Sequence, residues 1–376
     1  MLLSMTIDLA PRRGARLLAI ILAAIASLLP YLGALPTAAQ DPHEAGSIRF
    51  SRTAFRDPAA GDVEALVLLV PQGWQAAGAV QWTPTWSRLA QLQTHVADPA
   101  TGLSIDWLPI ADFIWFEVPA GFDVPIGGNY PGKAFMPPIL DPVQLVDHLW
   151  VPSVLGHLGG LQPVSQRQVP RIAEEFVRGF GGPAKAAAYV LRYEFDSGGR
   201  PWEQDVSFAI LDASATGVTS WYVNFAYTVA GPRGTLDAQQ GLISAIVASR
   251  ITTPEWEATY RLVQQLFYQG LQQQMADTVA FGRVLAQYRA EIAALQDQVT
   301  QERQASQDRI AGYQRDTLGG VENFDDPVHG GIVQLPSGWR DYWVNPQGDY
   351  LTSGDPGFDP NTPSDPGWQR LQRHGG

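Results

Sequence analysis

Residues 188–229 read AYVLRYEFDSGGRPWEQDVSFAILDASATGVTSWYVNFAYTV, three runs of period two separated by Ser197-Gly198-Gly199 and by Asp212 to Gly217. Successive side chains of an extended strand point to opposite faces, so each run sorts its large apolar residues onto one side. Tyr189, Leu191, Tyr193 and Phe195 share a face, as do Trp202, Val206, Phe208 and Ile210, and as do Trp221, Val223, Phe225, Tyr227 and Val229. Short turns between such runs give an antiparallel meander.

Working outward, Asp237 to Ser249 reads as a helix whose buried face carries Leu242, Ile243, Ile246 and Val247. Upstream, Ala65 to Val70 is an apolar run closed by Pro71 and Gly73, which suits a buried strand. Leu103, Ile105 and Trp107 alternate with Ser104 and Asp106, so that strand has one dry face. A helix is expected from Pro142 to Leu158, broken at Pro152, because proline removes a helical hydrogen bond and clashes with the preceding turn. The fold class is therefore α+β, an antiparallel sheet covered by helices.

The order of these pieces resembles the PsbP-like family of α/β/α sandwiches. The likeness is carried by a strand ending in a Pro-x-Gly-Trp turn (Val67 to Trp74), by the hairpin Ala188 to Ala226, and by a closing helix followed by Ala248-Ser249-Arg250-Ile251. It implies an antiparallel sheet sandwiched by helices and a binding or assembly role outside the cytoplasm. A long Pro- and Gly-rich stretch from Pro119 to Pro142 departs from the family pattern, and no functional residue is carried over.

From Pro254 to about Arg315 prolines vanish after the first position and Gln becomes abundant. Thr253 or Thr252 can cap a helix there, with Pro254 at its first position and Glu255 and Glu257 at the positive end of its dipole. Phe267, Leu271, Phe281, Leu285, Ile292 and Leu295 recur at near-heptad spacing, which predicts one long amphipathic helix packed on the sandwich or on a second copy, as far as about residue 300. After Gly319-Gly320 the chain turns dense in aromatics, Gly, Pro and Asp, as in a small β module of residues 317–376. That module is similar to C-terminal modules recurrent in bacterial proteins, with Leu335 to Trp339 as the turn, Trp343 to Asn345 as a strand, Asp355 to Asn361 as a loop and Trp368 near the end.

At the other end Arg12, Arg13 and Arg16 precede an apolar run from Leu17 to Leu29, and the small residues Thr37, Ala38 and Ala39 follow. This is the order of a signal peptide, expected over residues 1–39 with cleavage near Gln40, or else a retained N-terminal membrane anchor. The domain order is then 1–39 signal peptide, 40–253 sandwich, 254–316 helix and 317–376 β module. The chain has no cysteine, which excludes disulfides, thiolate nucleophiles and thiolate zinc sites. Its 25 Lys plus Arg against 37 Asp plus Glu, a net charge of −12, oppose binding to nucleic acid.

Chemistry is harder to place. The six histidines have no helical metal-pair spacing, and no Gly-x-Ser-x-Gly elbow is present. Asp355, Asp359, Asn361 and Asp365 offer hard oxygens on one loop, which suits calcium, although the same residues stabilise turns. Trp339, Tyr342 and Tyr350 are the expected ligand-binding aromatics, with Trp339 exposed on its turn and Trp343 and Trp368 in the module's core. The expected function is an exported, extracytoplasmic, non-enzymatic binding or assembly protein of the bacterial cell envelope, whose partner is a protein or an envelope component. The rivals are an envelope polymer hydrolase with a carboxylate site near Pro119 to Pro142, and a structural surface protein self-associating through its helix.

Overall fold

The computed structural model describes residues 46–83, 88–118, 123–130, 133–180, 183–214, 217–269, 285–302 and 319–375. The expected signal segment, and with it Leu271 and Phe281, lie outside them. The chain opens with β1 (Ser47–Asp57), β2 (Val63–Pro71), β3 (Gln75–Trp82), β4 (Ala90–Ala97), β5 (Ser104–Trp107) and β6 (Ala111–Phe116). Within the Pro- and Gly-rich stretch, β7 (Asn129–Tyr130) and β8 (Lys133–Phe135) extend the sheet from β6. Helix α1 (Pro142–Leu149) starts at Asp141, whose side chain accepts the Gln144 N–H. It breaks beyond Trp150 into a wide turn at Val151–Leu155 and a tight one at Gly156–Leu158, as Pro152 requires.

Then come β9 (Gln162–Gln168), α2 (Pro170–Phe180) and the meander β10 (Lys185–Ser197), β11 (Arg200–Asp212) and β12 (Val218–Pro232). Helix α3 (Gln240–Ala248), β13 (Ile251–Thr252) and α4 (Pro254–Tyr268) close the first part, and a last helical stretch, α5, covers 289–302. The C-terminal part adds β14 (Val321–Asp325), β15 (Ile332–Pro336), β16 (Asp341–Val344), β17 (Tyr350–Ser353), β18 (Gln369–Arg370) and β19 (Gln372–Arg373). The class is α+β with antiparallel sheets and few helices.

The meander sits in a ten-stranded sheet that runs β3-β4-β5-β12-β11-β10-β9, with β6 to β8 branching from β12. Its two faces carry two cores. One face buries Leu191, Tyr193, Val206, Phe208, Trp221 and Val223 under α1, with Leu145, Val146 and Trp150. The other meets α3 and a second sheet, where Val96, Ile105 and Val229 pack with Phe50, Leu68, Ile243 and Ile246.

The single-face reading of β12 is corrected at Phe225. The ladder with β11 shifts register between Ser207 and Ala209, and Phe225 takes φ +51°, with its N–H held by the Asn224 side chain. One extra residue flips the parity that follows. Trp221, Val223 and Ala226 therefore face α1, whereas Tyr227 and Val229 face the second sheet. Phe225 itself stands half exposed against the edge of Phe176 in α2.

The second sheet has the order β13-β2-β1-β17-β16-β18. Its seam joins the two ends of the described chain, with Ser47 opposite Ser353 and Phe50 opposite Tyr350. Arg49 of β1 bonds Asp349 at 2.8 Å and Asp365 at 2.9 Å, and its guanidinium lies 5.0 Å from the Trp368 ring. At α3 the backbones of Gly241 and Gly320 touch: a Cβ added to Gly320, already at φ +68°, would stand 2.7 Å from the Gly241 Cα. Neither position has room for a side chain.

The long rod expected from Pro254 to about residue 300 is also corrected. Thr253 does cap α4, accepting the Trp256 N–H. Arg261 of α4, however, bonds Glu302 at 2.8 Å across forty-one residues, whereas a straight helix of that length would hold them about 60 Å apart. The chain therefore doubles back, while its apolar stripe does pack on the sandwich: Leu262, Val263, Leu266 and Leu285 are buried together with Ala60 and Leu89, with Phe267, Ile292 and Leu295 against them. No helix among the described residues is long and apolar enough to cross a membrane.

Candidate functional site

Strand β10 is longer than the strand beside it. β9 pairs with Tyr189 to Glu194, and the Val169 N–H closes the ladder on the Ala188 carbonyl. There the chain leaves the sheet, because Pro170 cannot donate to a ladder and instead starts α2 across the sheet face. Lys185, Ala186 and Ala187 keep β11 on one side and, among the described residues, have no strand on the other. Hydrogen-bonding groups alternate sides along an antiparallel strand. Since the Ala188 carbonyl serves the β9 side, Ala186 turns its N–H and C=O toward the same empty row.

A groove of about 530 Å³ follows that row. One wall is the open edge from Ala186 to Ala188, and the other is the stripe Ala173, Glu174, Val177 and Arg178 of α2. These residues recur at helical spacing and face one way. Alanine at 173, 188 and 209 lets α2 sit close to the sheet while leaving width beside it. On the far flank of α2 a void of about 30 Å³ is lined by Ser207, Tyr227 and Gln240. Burial pushes the Tyr227 hydroxyl above its usual pKa, partly offset by its bond to Ser207. Farther along β10, Arg192 grips Asp205 through two bonds of 2.7 and 2.9 Å and Asp237 at 2.8 Å, fixing the approach to α3.

The rest of the sheet edge is defended. All seven residues of β9 are exposed, Pro163 lacks an N–H, and the ladder slips one residue beside it. Proline and bulges, like lysines on the edge, keep edge strands from pairing with other chains. The edge at 185–187 has no proline or bulge and has Lys185 as its charged residue, and from there the chain is a run of three alanines.

The residues expected to bind a ligand are interior. Trp339 is 5 %, Tyr342 3 % and Tyr350 7 % exposed. The expected exposure of Trp339 is corrected, because its turn folds under the second sheet and its N–H bonds the Tyr342 hydroxyl, which in turn donates to the Pro336 carbonyl. Tyr350 donates to Asp326 at 2.6 Å, and burial raises its pKa. These rings form the joint between β1 and the C-terminal strands instead of a platform. Trp343 and Trp368 are buried together with Leu351, as expected.

The four loop oxygens also go separate ways. Asp355 accepts the Gly357 N–H, Asp359 that of Asn361, Asn361 those of Gly367 and Trp368, and Asp365 takes Arg49. Each serves a turn or the seam. Among the described residues no three acidic or histidine side chains come together as a metal cluster would.

Of the histidines, His43 lies outside the described residues. His148 and His157 bond carbonyls of their own turns, and His329, His374 and His95 bond Asp326, Asp325 and Asp106. The His95 pair, 2.7 Å apart across β4 and β5, raises the His95 pKa mainly through its hydrogen bond to Asp106. A raised folded-state pKa contributes stability in full below the unfolded value of about 6.5 and loses it as pH climbs through the folded one. Both side chains are over two-fifths exposed, so screening keeps the contribution small. NMR titration should place the His95 midpoint above that of an unfolded histidine and return it toward 6.5 in Asp106→Asn; an unchanged midpoint would contradict the pair.

No protein-family model matches the chain, and no curated protein does. Among solved structures it is similar to cyanobacterial PsbP (CyanoP) from Synechocystis sp. PCC 6803, at 11% sequence identity, over 59% of this chain and 99% of that one, with a TM-score of 0.14. A likeness that weak carries no argument about what the groove binds.

Proposed function

We propose that this is an exported, extracytoplasmic, non-enzymatic binding or assembly protein that takes up an extended segment of a partner protein along the open edge of β10. The observation that carries this reading is the α2/β10 groove. It combines backbone donors and acceptors at Ala186, left unpaired by any strand among the described residues, with apolar width under a helix, the arrangement in which a foreign strand adds to a sheet. Main-chain bonds supply affinity there, and alternate side chains entering the groove supply selectivity. The export reading rests on Arg12 to Ala39.

The test is selection from a displayed library of random peptides against the purified protein. Selected peptides should alternate apolar residues. Val177→Arg, which fills the groove from α2, should weaken them at least about tenfold, a loss of roughly 1.4 kcal/mol. Methylating alternate peptide amides should abolish binding, since each blocks a ladder bond. Peptides indifferent to both changes bind elsewhere, and the reading then fails. A thermal melt of Val177→Arg guards against a general loss of fold.

A further inference from the structure

The ten-stranded sheet begins, at the end away from the groove, with β3, which pairs with β4 and among the described residues has no strand on its other side. Gln75 to Trp82 runs eight residues in unbroken register, from Gln75 opposite Ala97 to Trp82 opposite Ala90, with no proline and no charged residue. Gly78 and Ala79 at its middle are exposed. Native proteins shorten, bulge or charge such an edge, because an open row of N–H and C=O groups pairs with other strands. β13 and β18, the outer strands of the second sheet, are two residues long, whereas β3 carries none of these devices. The ladder runs on to Thr83, whose N–H bonds the Leu89 carbonyl at 2.7 Å. Bonding groups alternate sides along an antiparallel strand, so the odd-numbered residues of β3 bond toward β4. Ala76, Gly78 and Val80 therefore turn N–H and C=O outward, where they have no hydrogen-bond partner among the described residues.

We infer that the occupant of this edge is a second copy of the chain, its β3 laid antiparallel across a two-fold axis at Gly78. Symmetry and charge both select it. In a two-fold antiparallel pair one residue faces its own copy, and at an open edge it must be one whose bonding groups point outward. Gly78 is the middle one of the three. Ala76 then bonds Val80 of the second copy and Val80 bonds its Ala76, which uses every outward group of the three in about six ladder bonds. Between them Ala77 stands opposite Ala79, and side chains this small leave no bulk to hold the strands apart. No Asp, Glu, Lys or Arg occurs from Ala65 to Ser87, so two chains of net charge −12 meet where neither brings a charge. A charged foreign strand finds nothing there to pair with. Because the pairing consumes both edges, it closes at two copies. It does not depend on the groove beside β10.

Sedimentation velocity of the purified protein over a concentration series tests this. The native chain should pass from monomer to dimer and stop there. The double variant Ala77→Lys, Ala79→Lys sets like charges directly opposite across the seam and should weaken the dimer at least about tenfold. Ala77→Lys, Ala79→Glu carries as many charges but sets each Lys opposite a Glu, and should restore it. Both positions lie on the polar face, beside His95 and Gln93 of β4, and thermal melts check that the variants fold. Amide hydrogen exchange reads the seam with no substitution at all: the Ala76, Gly78 and Val80 amides should slow as the dimer fills. A chain that stays monomeric overturns the inference, as does exchange at these three amides that ignores concentration. A dimer indifferent to both lysines is joined elsewhere and overturns it too. Equal loss of the dimer in the two variants overturns the register at Gly78, and with it the symmetric pair.

Discussion

Deleting residues 319–376 is expected to leave a chain that no longer folds cooperatively. The segment supplies seven of the twenty buried residues in the core between the two sheets: Phe324, Leu335, Trp339, Tyr342, Val344, Tyr350 and Leu371. At roughly 1.5–3 kcal/mol for each buried side chain, their removal forfeits on the order of 10–20 kcal/mol, against a typical net stability of about 5–15 kcal/mol. Deletion also uncovers the edge of β1 at Ser47 to Phe50, where β17 pairs. Circular dichroism and thermal unfolding decide the matter. A sigmoidal melt close to that of the intact protein would show that the C-terminal strands ride on a core complete without them. The point version is Trp339→Ala, expected to cost about 3–5 kcal/mol for a buried tryptophan.

The second large effect is expected from Asp57→Ala. This carboxylate is fully buried and takes both the Trp82 and Trp256 indole N–H groups at 2.8 Å, together with the Ala59 and Ala60 amides at 3.0 and 3.3 Å. One side chain thereby ties β1 to β3 and to α4. Without it two indole donors are left dry, at about 1–3 kcal/mol each, and the charge-assisted bonds themselves are lost. A total near 4–6 kcal/mol is expected from urea denaturation. Asp57→Asn should recover little, since one carboxylate oxygen takes both indoles and the other both amides, so its NH₂ group must face one of these two pairs of N–H donors. In Trp256→Phe background the penalty should shrink, because one stranded donor is already gone. A cost below about 1 kcal/mol would mean that water reaches these groups.

What the sequence carried was local. The meander, its turns, the Thr253 cap and the break at Pro152 are each decided by a few adjacent residues, and the structure has them where the pattern places them. The parity change at Phe225 was hidden because an inserted residue of the same chemical type does not disturb the alternation of apolar letters. The seam between β1 and β17 was hidden for a different reason: pairing of strands that far apart leaves no trace in either one. That is also why Trp339, Tyr342 and Tyr350 read as spare aromatics, when the surface that covers them comes from the other end of the chain. The groove is defined by a strand edge with no neighbour among the described residues. The available hints were Pro163 in a polar strand and the small side chains at 186–188.

The same seam sets when this protein becomes itself. The Ser353 hydroxyl reaches the Gly46 carbonyl across 307 positions, so at about 5–20 residues per second of synthesis the first strand waits roughly 15–60 s for its neighbour. Contacts of such long range also make the search slow once the whole chain exists. Until the last strands emerge the first sheet lacks an edge and its core a wall. A polypeptide in that state is still threadable, which is compatible with the export proposed for it: a channel that accepts only unfolded chains would meet it before the lock has closed.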